Sequence, residues 1–177
     1  MNKILEKIKS LPKIGLKHPG DFLGGVVYPD PIKEFIQNVE LAGAIVLEGK
    51  DWEKKVKEYF PEKELKRLED IIQEGRSLED LDLLGIDAQL GVAENGAVYL
   101  NEDSLAHRVS PFICQHLIIF LSKNTILHNM HQAYENIQED SGFSLFLAGP
   151  SKTADIEQSL VIGAHGSRST LLVIREE

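Results

Sequence analysis

The sequence of 177 residues has a single cysteine, Cys114, and no cluster of basic side chains. One cysteine cannot form a disulfide within the chain or supply the four thiolates of an iron–sulfur site. It precedes a strongly apolar run, which favours a small buried residue over the alternative of a nucleophilic thiol. Acidic side chains outnumber basic ones by 28 to 19. A duplex-binding protein needs a basic face to neutralise phosphates, so the sequence argues against a nucleic-acid partner.

Long apolar runs are also lacking, and none approaches the roughly 20 residues that a membrane-spanning helix needs. Residues 1–15 are studded with Lys and Glu and do not resemble a secretory signal. We therefore predict a cytoplasmic protein. Hydrophobic residues make up 42% of the chain, which is typical of a globular domain with a core. We predict one domain over 1–177, with a helix and an irregular arm in residues 1–29.

Several segments carry the start and stop signals of helices. Asp30 can cap a helix that begins at Pro31 and ends near Gly43. Further helices are predicted over 51–59, 61–74, 126–138 and 153–162.

Apolar runs predict short buried strands over 44–48, 116–121, 143–149 and 170–175. The run at 116–121 does not alternate, which fits a strand covered by helices on both faces. The order strand, helix, strand over 143–175 predicts a βαβ unit with parallel strands and a right-handed crossover. Asn95–Gly96 between two apolar runs predicts a hairpin over 90–100 with a two-residue type I′ turn. The predicted fold class is α/β.

The most informative candidate site is the segment GPSKTADIE, residues 149–157. It is predicted to leave the carboxyl end of a central strand and enter a helix, where open α/β sheets bind ligands. Free amide groups at a helix start attract anions. The candidate ligand-binding residues are Gly149, Ser151, Lys152, Thr153, Asp155 and Glu157. They equally suit a plain helix start, since Ser and Thr cap helices and acidic residues favour the first turn.

A second candidate segment, GAHG at 163–166, follows the predicted helix. Flanking glycines leave the imidazole of His165 close to a ligand, where it can act as general acid or base near neutral pH. We predict His165 as a candidate catalytic residue and Gly163 and Gly166 as ligand-binding residues. An ordinary surface histidine in a helix-ending loop is the alternative.

The hairpin tip supplies the remaining candidates. Glu94 can act as base or nucleophile, and Asn95 and Gly96 beside it are candidate ligand-binding residues. The alternative is a turn with a solvated carboxylate. His128 and His131 can share a face of a predicted helix. No metal site is predicted, because two imidazoles need a third ligand.

The stretch from Ser144 to Ile174 resembles the hallmark of the lactate-utilisation protein C family, the LUD domain. The family pattern is close to S-G-P-S-R-T-A-D-I-E, then a short helix, G-V-H-G-P and a final strand. The sequence matches it at Gly149, Pro150, Ser151, Thr153, Ala154, Asp155, Ile156, Glu157, Gly163, His165 and Gly166. The segment LGVAENGAVYL is similar to the family's G-I-A-x-T-G-T element, so the resemblance covers roughly residues 80–175.

Four positions depart from the family pattern. Lys152 stands where Arg is usual, Ser167 where Pro is usual, and Asn95 and Ala97 where the turn has Thr. A change at the turn can alter which ligand the protein binds. The sequence therefore resembles a divergent member of the family.

The resemblance implies a three-layer αβα fold with a mostly parallel sheet, similar to ribose-phosphate isomerase, glucosamine-phosphate deaminase and CoA-transferase enzymes. It also implies a subunit or accessory protein in the oxidation of L-lactate to pyruvate, which binds a small anion. Companion proteins would carry the iron–sulfur clusters. No cofactor is expected in this chain, since one cysteine fits only the member without a cluster.

Two alternatives stay open. The A-E-N-G of residues 93–96 is similar to the segment around the nucleophilic glutamate of CoA-transferases. The chain would then be a free-standing enzyme acting on acyl-CoA through Glu94, or on another phosphate-bearing ligand, and a homo-oligomer would supply the second domain. The lack of a complete catalytic set favours instead a non-catalytic ligand-binding module.

Overall fold

The largest sheet of the protein has five strands, all parallel. The computed structural model describes residues 25–67, 70, 81–105, 107–137, 142–153, 161–163 and 165–176. The strands are β1 (Ile45–Glu48), β2 (Leu65–Lys66), β3 (Leu83–Ala88), β6 (His116–Ser122) and β11 (Ser169–Arg175). They lie in the order β1-β11-β6-β3-β2. Strands β6 and β11 each bury five consecutive residues, as strands covered on both faces do.

Helices α1 (Pro31–Leu41) and α2 (Trp52–Tyr59) cover the two faces of this sheet. The other helices are α3 (Ser110–Ile113), which precedes β6, and α4 (Met130–Asn136), which packs on the second sheet described below. Phe35 and Val39 are one turn apart on α1 and pack in the cluster that contains Leu117 of β6. Val56 of α2 packs on the opposite face, in the cluster with Ile118. The fold is therefore a three-layer α/β arrangement with a parallel central sheet, as expected.

A second sheet of four strands packs beside α1. It comprises β4 (Leu90–Val92), β5 (Ala97–Asn101), β7 (Ile126–Leu127) and β8 (Ser144–Leu147), in the order β7-β4-β5-β8. Strand β5 is antiparallel to both of its neighbours. Val98 and Leu100 face the main core, whereas Tyr99 faces Ala133 of α4. The side chains thus alternate between two buried layers, because successive residues of a strand point to opposite faces.

Several sequence predictions are confirmed. Helix α1 begins at Pro31, and the carboxylate of Asp30 accepts a hydrogen bond from the Lys33 amide at 3.0 Å. Strands β1, β6 and β11 lie within a residue or two of the predicted runs. Cys114 is only 1% exposed, and burial raises the pKa of its thiol to about 12. It is therefore a small buried residue and not an activated nucleophile.

The predicted βαβ unit over 143–175 is wrong. Strand β8 is not a central strand of the parallel sheet but the edge strand of the second sheet, antiparallel to β5. The ends of the predicted helix over 153–162 form a short antiparallel ladder, β9 (Lys152–Thr153) with β10 (Val161–Ile162), and residues 154–160 lie outside the described part. A short apolar run does not reveal which sheet its strand joins, because that depends on distant partners.

Three further boundaries differ from the predictions. Residues 65–66 of the predicted helix 61–74 form β2, and residues 126–127 of the predicted helix 126–138 form β7. Helix α4 begins instead at Met130, because the Asn129 side chain caps it by accepting a hydrogen bond from the Gln132 amide at 3.0 Å. The hairpin has a loop of residues 93–96 rather than a two-residue turn, since Val92 pairs with Ala97.

Of the predicted N-terminal helix and arm, only residues 25–29 lie within the described part, and they form neither helix nor strand. Within the described ranges, no helix has the length and apolar character needed to cross a bilayer.

Candidate functional site

A cleft of about 290 Å³ lies between the loop that follows β8 and the loop that precedes β11. Pro111 and Phe112 of α3 line part of it. Five of the predicted site residues line this loop cleft, namely Gly149, Ser151, Lys152, His165 and Gly166. The structure thus brings together the two segments that sequence reasoning singled out separately.

The main chain of Ser151 joins the two loops. Its amide donates to the carbonyl of Ser167 at 3.0 Å, and its carbonyl accepts from the amide of Gly163 at 3.0 Å. A Cβ atom on Gly166 would lie 3.0 Å from the Cβ of Ser151 and 3.5 Å from its hydroxyl oxygen. Glycine at position 166 therefore allows the loops to approach, and the half-buried Ser151 hydroxyl lies against it in the cleft.

These contacts change the expected source of anion binding. The prediction used free amides at a helix start, but the backbone at 152–153 forms β9 and the Ser151 amide is already bonded to Ser167. The groups in the cleft that can still contact an anion are the side-chain hydroxyl of Ser151 and the exposed imidazole of His165. In either neutral tautomer, one imidazole nitrogen donates and the other accepts.

The loop after β8 is anchored on the C-terminal end of α1. The Lys152 ammonium donates to the carbonyl of Ala42, the C-cap residue, at 2.6 Å. A cation at this position is favourable because it faces the negative end of the helix dipole. Gly149 has a φ of 66°, and a Cβ there would lie 2.3 Å from the same carbonyl oxygen. Lys152 and Gly149 therefore fix the position of the loop.

Sequence reasoning missed Phe112, which lines the cleft with 42% of its surface exposed. No signal in the chain connects Phe112 with the Gly149 segment, and only the tertiary fold does so. Ser167 is buried, and its hydroxyl lies 3.2 Å from that of Thr170. The hydroxyl that this departure from the family's proline introduces therefore has a partner.

Glu94 does not line the loop cleft. Its carboxylate accepts a hydrogen bond from the amide of Met130 at 3.0 Å, at the start of α4. Its own amide donates to the carbonyl of His128 at 3.1 Å. The carboxylate thus satisfies a free amide at a helix N-terminus, where negative charge is favourable.

The rest of the hairpin loop packs on α1. Gly96 has a φ of 67°, and a Cβ there would lie 2.6 Å from the backbone of Asn38 and Val39. The Asn95 side chain accepts from the amide of Ala97 at 3.0 Å. Since Val98 pairs with Leu147 in the antiparallel ladder, this loop and the loop after β8 lie at the same end of the second sheet.

Of the two histidines considered for metal binding, His131 lies on α4 itself. His128 precedes α4, and its Nδ1 accepts a hydrogen bond from the Tyr28 amide at 3.1 Å. Burial, together with the charges of Glu34 and Glu94, raises the pKa of Tyr28. In the part of the chain that the structure describes, no group of three His, Cys, Asp or Glu side chains is arranged to hold a metal ion.

Asp155 and Glu157 lie outside the described residues. Thr153 contributes backbone pairing in β9, opposite Val161.

The parallel sheet between helical layers, with a cleft built by loops, defines an α/β protein whose candidate site is carried on loops. Residues 75–174 match the model of the family described as LUD domain. The match covers more than half of the chain, so the protein belongs to the LUD domain family.

Similar curated proteins are lactate utilization proteins C. Lactate utilization protein C 1 of Bacillus mycoides (strain KBAB4) is 35% identical over 97 residues, which cover 51% of this chain and 42% of that protein. The protein of Shouchella clausii (strain KSM-K16) is 28% identical over 111 residues, with 58% and 48% covered. The protein of Bacillus pumilus (strain SAFR-032) is 32% identical over 94 residues, with 49% and 39% covered. The matched region thus spans less than half the length of these relatives.

A solved structure supports the fold. The crystal structure of a DUF162 family protein from Deinococcus radiodurans superposes with a TM-score of 0.62 at 12% identity, covering 85% of this chain and 99% of that chain. At this identity the likeness shows the fold alone.

Proposed function

We propose that the protein takes part in lactate utilisation, as a subunit or accessory protein that binds a small anion in the loop cleft. The observation that carries the proposal is that every residue lining the cleft, from Pro111 to Ser167, lies within the segment 75–174 that matches the LUD domain. The names of the curated relatives supply the process.

The chemistry of the cleft suits a small hydroxy or keto acid. The Ser151 hydroxyl can donate to a carboxylate, and the His165 imidazole can exchange a proton with a hydroxyl group. Phe112 and Leu147 offer an apolar wall for a methyl group. The volume of about 290 Å³ is sufficient for lactate or pyruvate.

Oxidation of lactate to pyruvate releases two electrons and two protons. The chain has one cysteine, buried and with a raised pKa, so it does not supply the thiolates of an iron–sulfur cluster. We therefore propose that electrons pass to companion proteins that carry such clusters, and that this chain binds the acid or its product.

The CoA-transferase alternative receives less support. It requires Glu94 as a nucleophile, but this carboxylate caps α4 and lies outside the loop cleft. The second alternative is a ligand-binding module that performs no chemical step. It has no partner protein, whereas the main proposal requires one, so a single experiment distinguishes the two hypotheses.

That experiment is purification of the tagged protein from the cells that produce it, under gentle anaerobic conditions, with an unrelated tagged protein as control. Mass spectrometry and iron analysis identify what accompanies it. We expect a cysteine-rich, iron-containing companion. Recovery of the chain alone and free of iron would contradict a redox assembly.

A further inference from the structure

Strand β1 forms one edge of the main sheet. Among the residues that the structure describes, β11 is its one strand neighbour. An edge strand presents amide and carbonyl groups that can pair with a further strand. The strand reads Ile45-Val46-Leu47-Glu48 and has neither proline nor lysine, the residues that commonly protect an edge. Its free side is therefore open to strand addition.

A groove of about 420 Å³ runs between this strand and α2. Ile45 and Tyr59 line the groove and are 37% and 50% exposed. Leu47 also lines it, and its side chain packs in the core beneath α2. Two large apolar side chains thus lie exposed beside a free strand edge, as they do at surfaces that bind another protein.

The groove carries one cation and one anion, Lys55 and Glu58, which lie three positions apart on the same side of α2. The Lys55 ammonium is 3.4 Å from the carbonyl oxygen of Glu48, so this side of α2 borders the β1 edge. Glu58 lies 4.0 Å from the ammonium of Lys54, but both side chains are largely exposed and such a pair contributes little. The groove is therefore close to neutral, although the chain has a net charge of −9.

We propose that β1 pairs antiparallel with β1 of a second copy of this chain, so that the two main sheets join across a two-fold axis. Residues directly opposite each other in an antiparallel pair point to the same face of the sheet. With the axis at Val46, Ile45 lies opposite Leu47 of the second copy, and both side chains are on the face that α2 covers. The two-fold axis makes every such contact twice.

The charges of α2 favour a second copy as the occupant. A two-fold axis at the β1 edge turns the two α2 helices antiparallel, which sets Lys55 of one copy toward Glu58 of the other. The same pair forms again on the opposite side of the axis. In the described part of the chain, no residue lines both this groove and the loop cleft, so the dimer leaves the loop cleft open.

The test is sedimentation equilibrium of the full chain over about a hundredfold range of protein concentration. We expect a reversible dimer. Lys55→Glu should weaken it by about tenfold or more, since it sets two carboxylates against each other at both ends of the interface. Glu58→Lys should have a similar effect. The double variant Lys55→Glu/Glu58→Lys exchanges the two charges and should restore the dimer.

The matched control is Lys57→Glu, which makes the same charge change on the side of α2 that borders β2. It should dimerise like the wild type. A thermal melt verifies that each variant is folded, and the substituted side chains are at the surface of α2. A monomer at every concentration would overturn the proposal. A dimer that Lys55→Glu leaves unchanged would do the same, as would a double variant that associates no better than the single ones.

Discussion

The carbonyl of Ser167 accepts a hydrogen bond from the amide of Ser151 at 3.0 Å, and this contact joins the two loops that form the candidate site. The bond connects a residue that follows β8, in the second sheet, with one that precedes β11, in the main sheet. The shape of the cleft therefore depends on how the two sheets are held relative to each other. Lys152 and Gly149 hold the sheets in this arrangement, because they anchor the loop after β8 on the C-terminal end of α1.

The first prediction concerns Gly149, whose backbone is left-handed and whose missing Cβ leaves room for the Ala42 carbonyl. Gly149→Ala should lower the free energy of unfolding by about 2–4 kcal/mol, from backbone strain and from displacement of α1. Gly49→Ala is the matched control, because Gly49 has a φ of 90° but nothing within 4 Å of a Cβ. It should cost about 1 kcal/mol, from strain alone. Urea denaturation measures both, and equal losses would refute the steric contact.

A second prediction tests the role of Glu94. Glu94→Ala should destabilise the protein by about 1 kcal/mol, because the Met130 amide at the start of α4 loses its acceptor. Glu94→Gln should lose less, since its side-chain carbonyl can still accept. Glu135→Ala, at an exposed position on α4, should stay within about 0.5 kcal/mol of wild type. A Glu94→Ala variant as stable as wild type would remove the capping role and reopen a catalytic one.

The third prediction concerns Cys114, the one thiol of the chain. Its pKa in the folded protein is raised to about 12, because burial disfavours the charged thiolate. Folding therefore favours the neutral thiol over the thiolate. This contribution to stability is fully present below the ordinary cysteine pKa and is lost as the pH rises toward 12.

At pH 8, Cys114 should therefore react with a thiol reagent at least about a hundredfold more slowly in the native protein than in guanidinium chloride. Absorbance of the released reagent group measures both rates. Similar rates in the two states would show that the thiol is accessible and ionised.

Local signals in the sequence predicted some elements well. Asp30, Pro31 and Gly43 define α1 because capping, ring constraint and positive φ act within a few residues. The continuous apolar run of β6 identified a doubly covered strand. The motifs in residues 144–174 indicated the LUD domain family, and the match of residues 75–174 to the family model confirms it.

Other features depend on partners far away in the chain. Strand β8 was assigned to the wrong sheet, since nothing in its four residues reveals that β5 is its neighbour. Glu94 was considered as a nucleophile because the sequence does not show that the Met130 amide, 36 positions on, faces its carboxylate. The sequence does not single out Phe112, because only the tertiary fold brings it to the cleft. Ser151 and His165 can be identified from the sequence, because a hydroxyl and an imidazole are reactive or hydrogen-bonding groups in themselves.

The most direct test of the central claim is binding of L-lactate and pyruvate in the loop cleft, followed through the amide signals of Ser151, Gly166 and Ser167. The account predicts saturable shifts that weaken by roughly tenfold or more in Ser151→Ala, which loses a donor to a carboxylate. They should persist in Ser144→Ala, an exposed serine at the opposite end of β8. Absence of saturable shifts with either acid, or equal binding by the two variants, would contradict the assignment of the cleft.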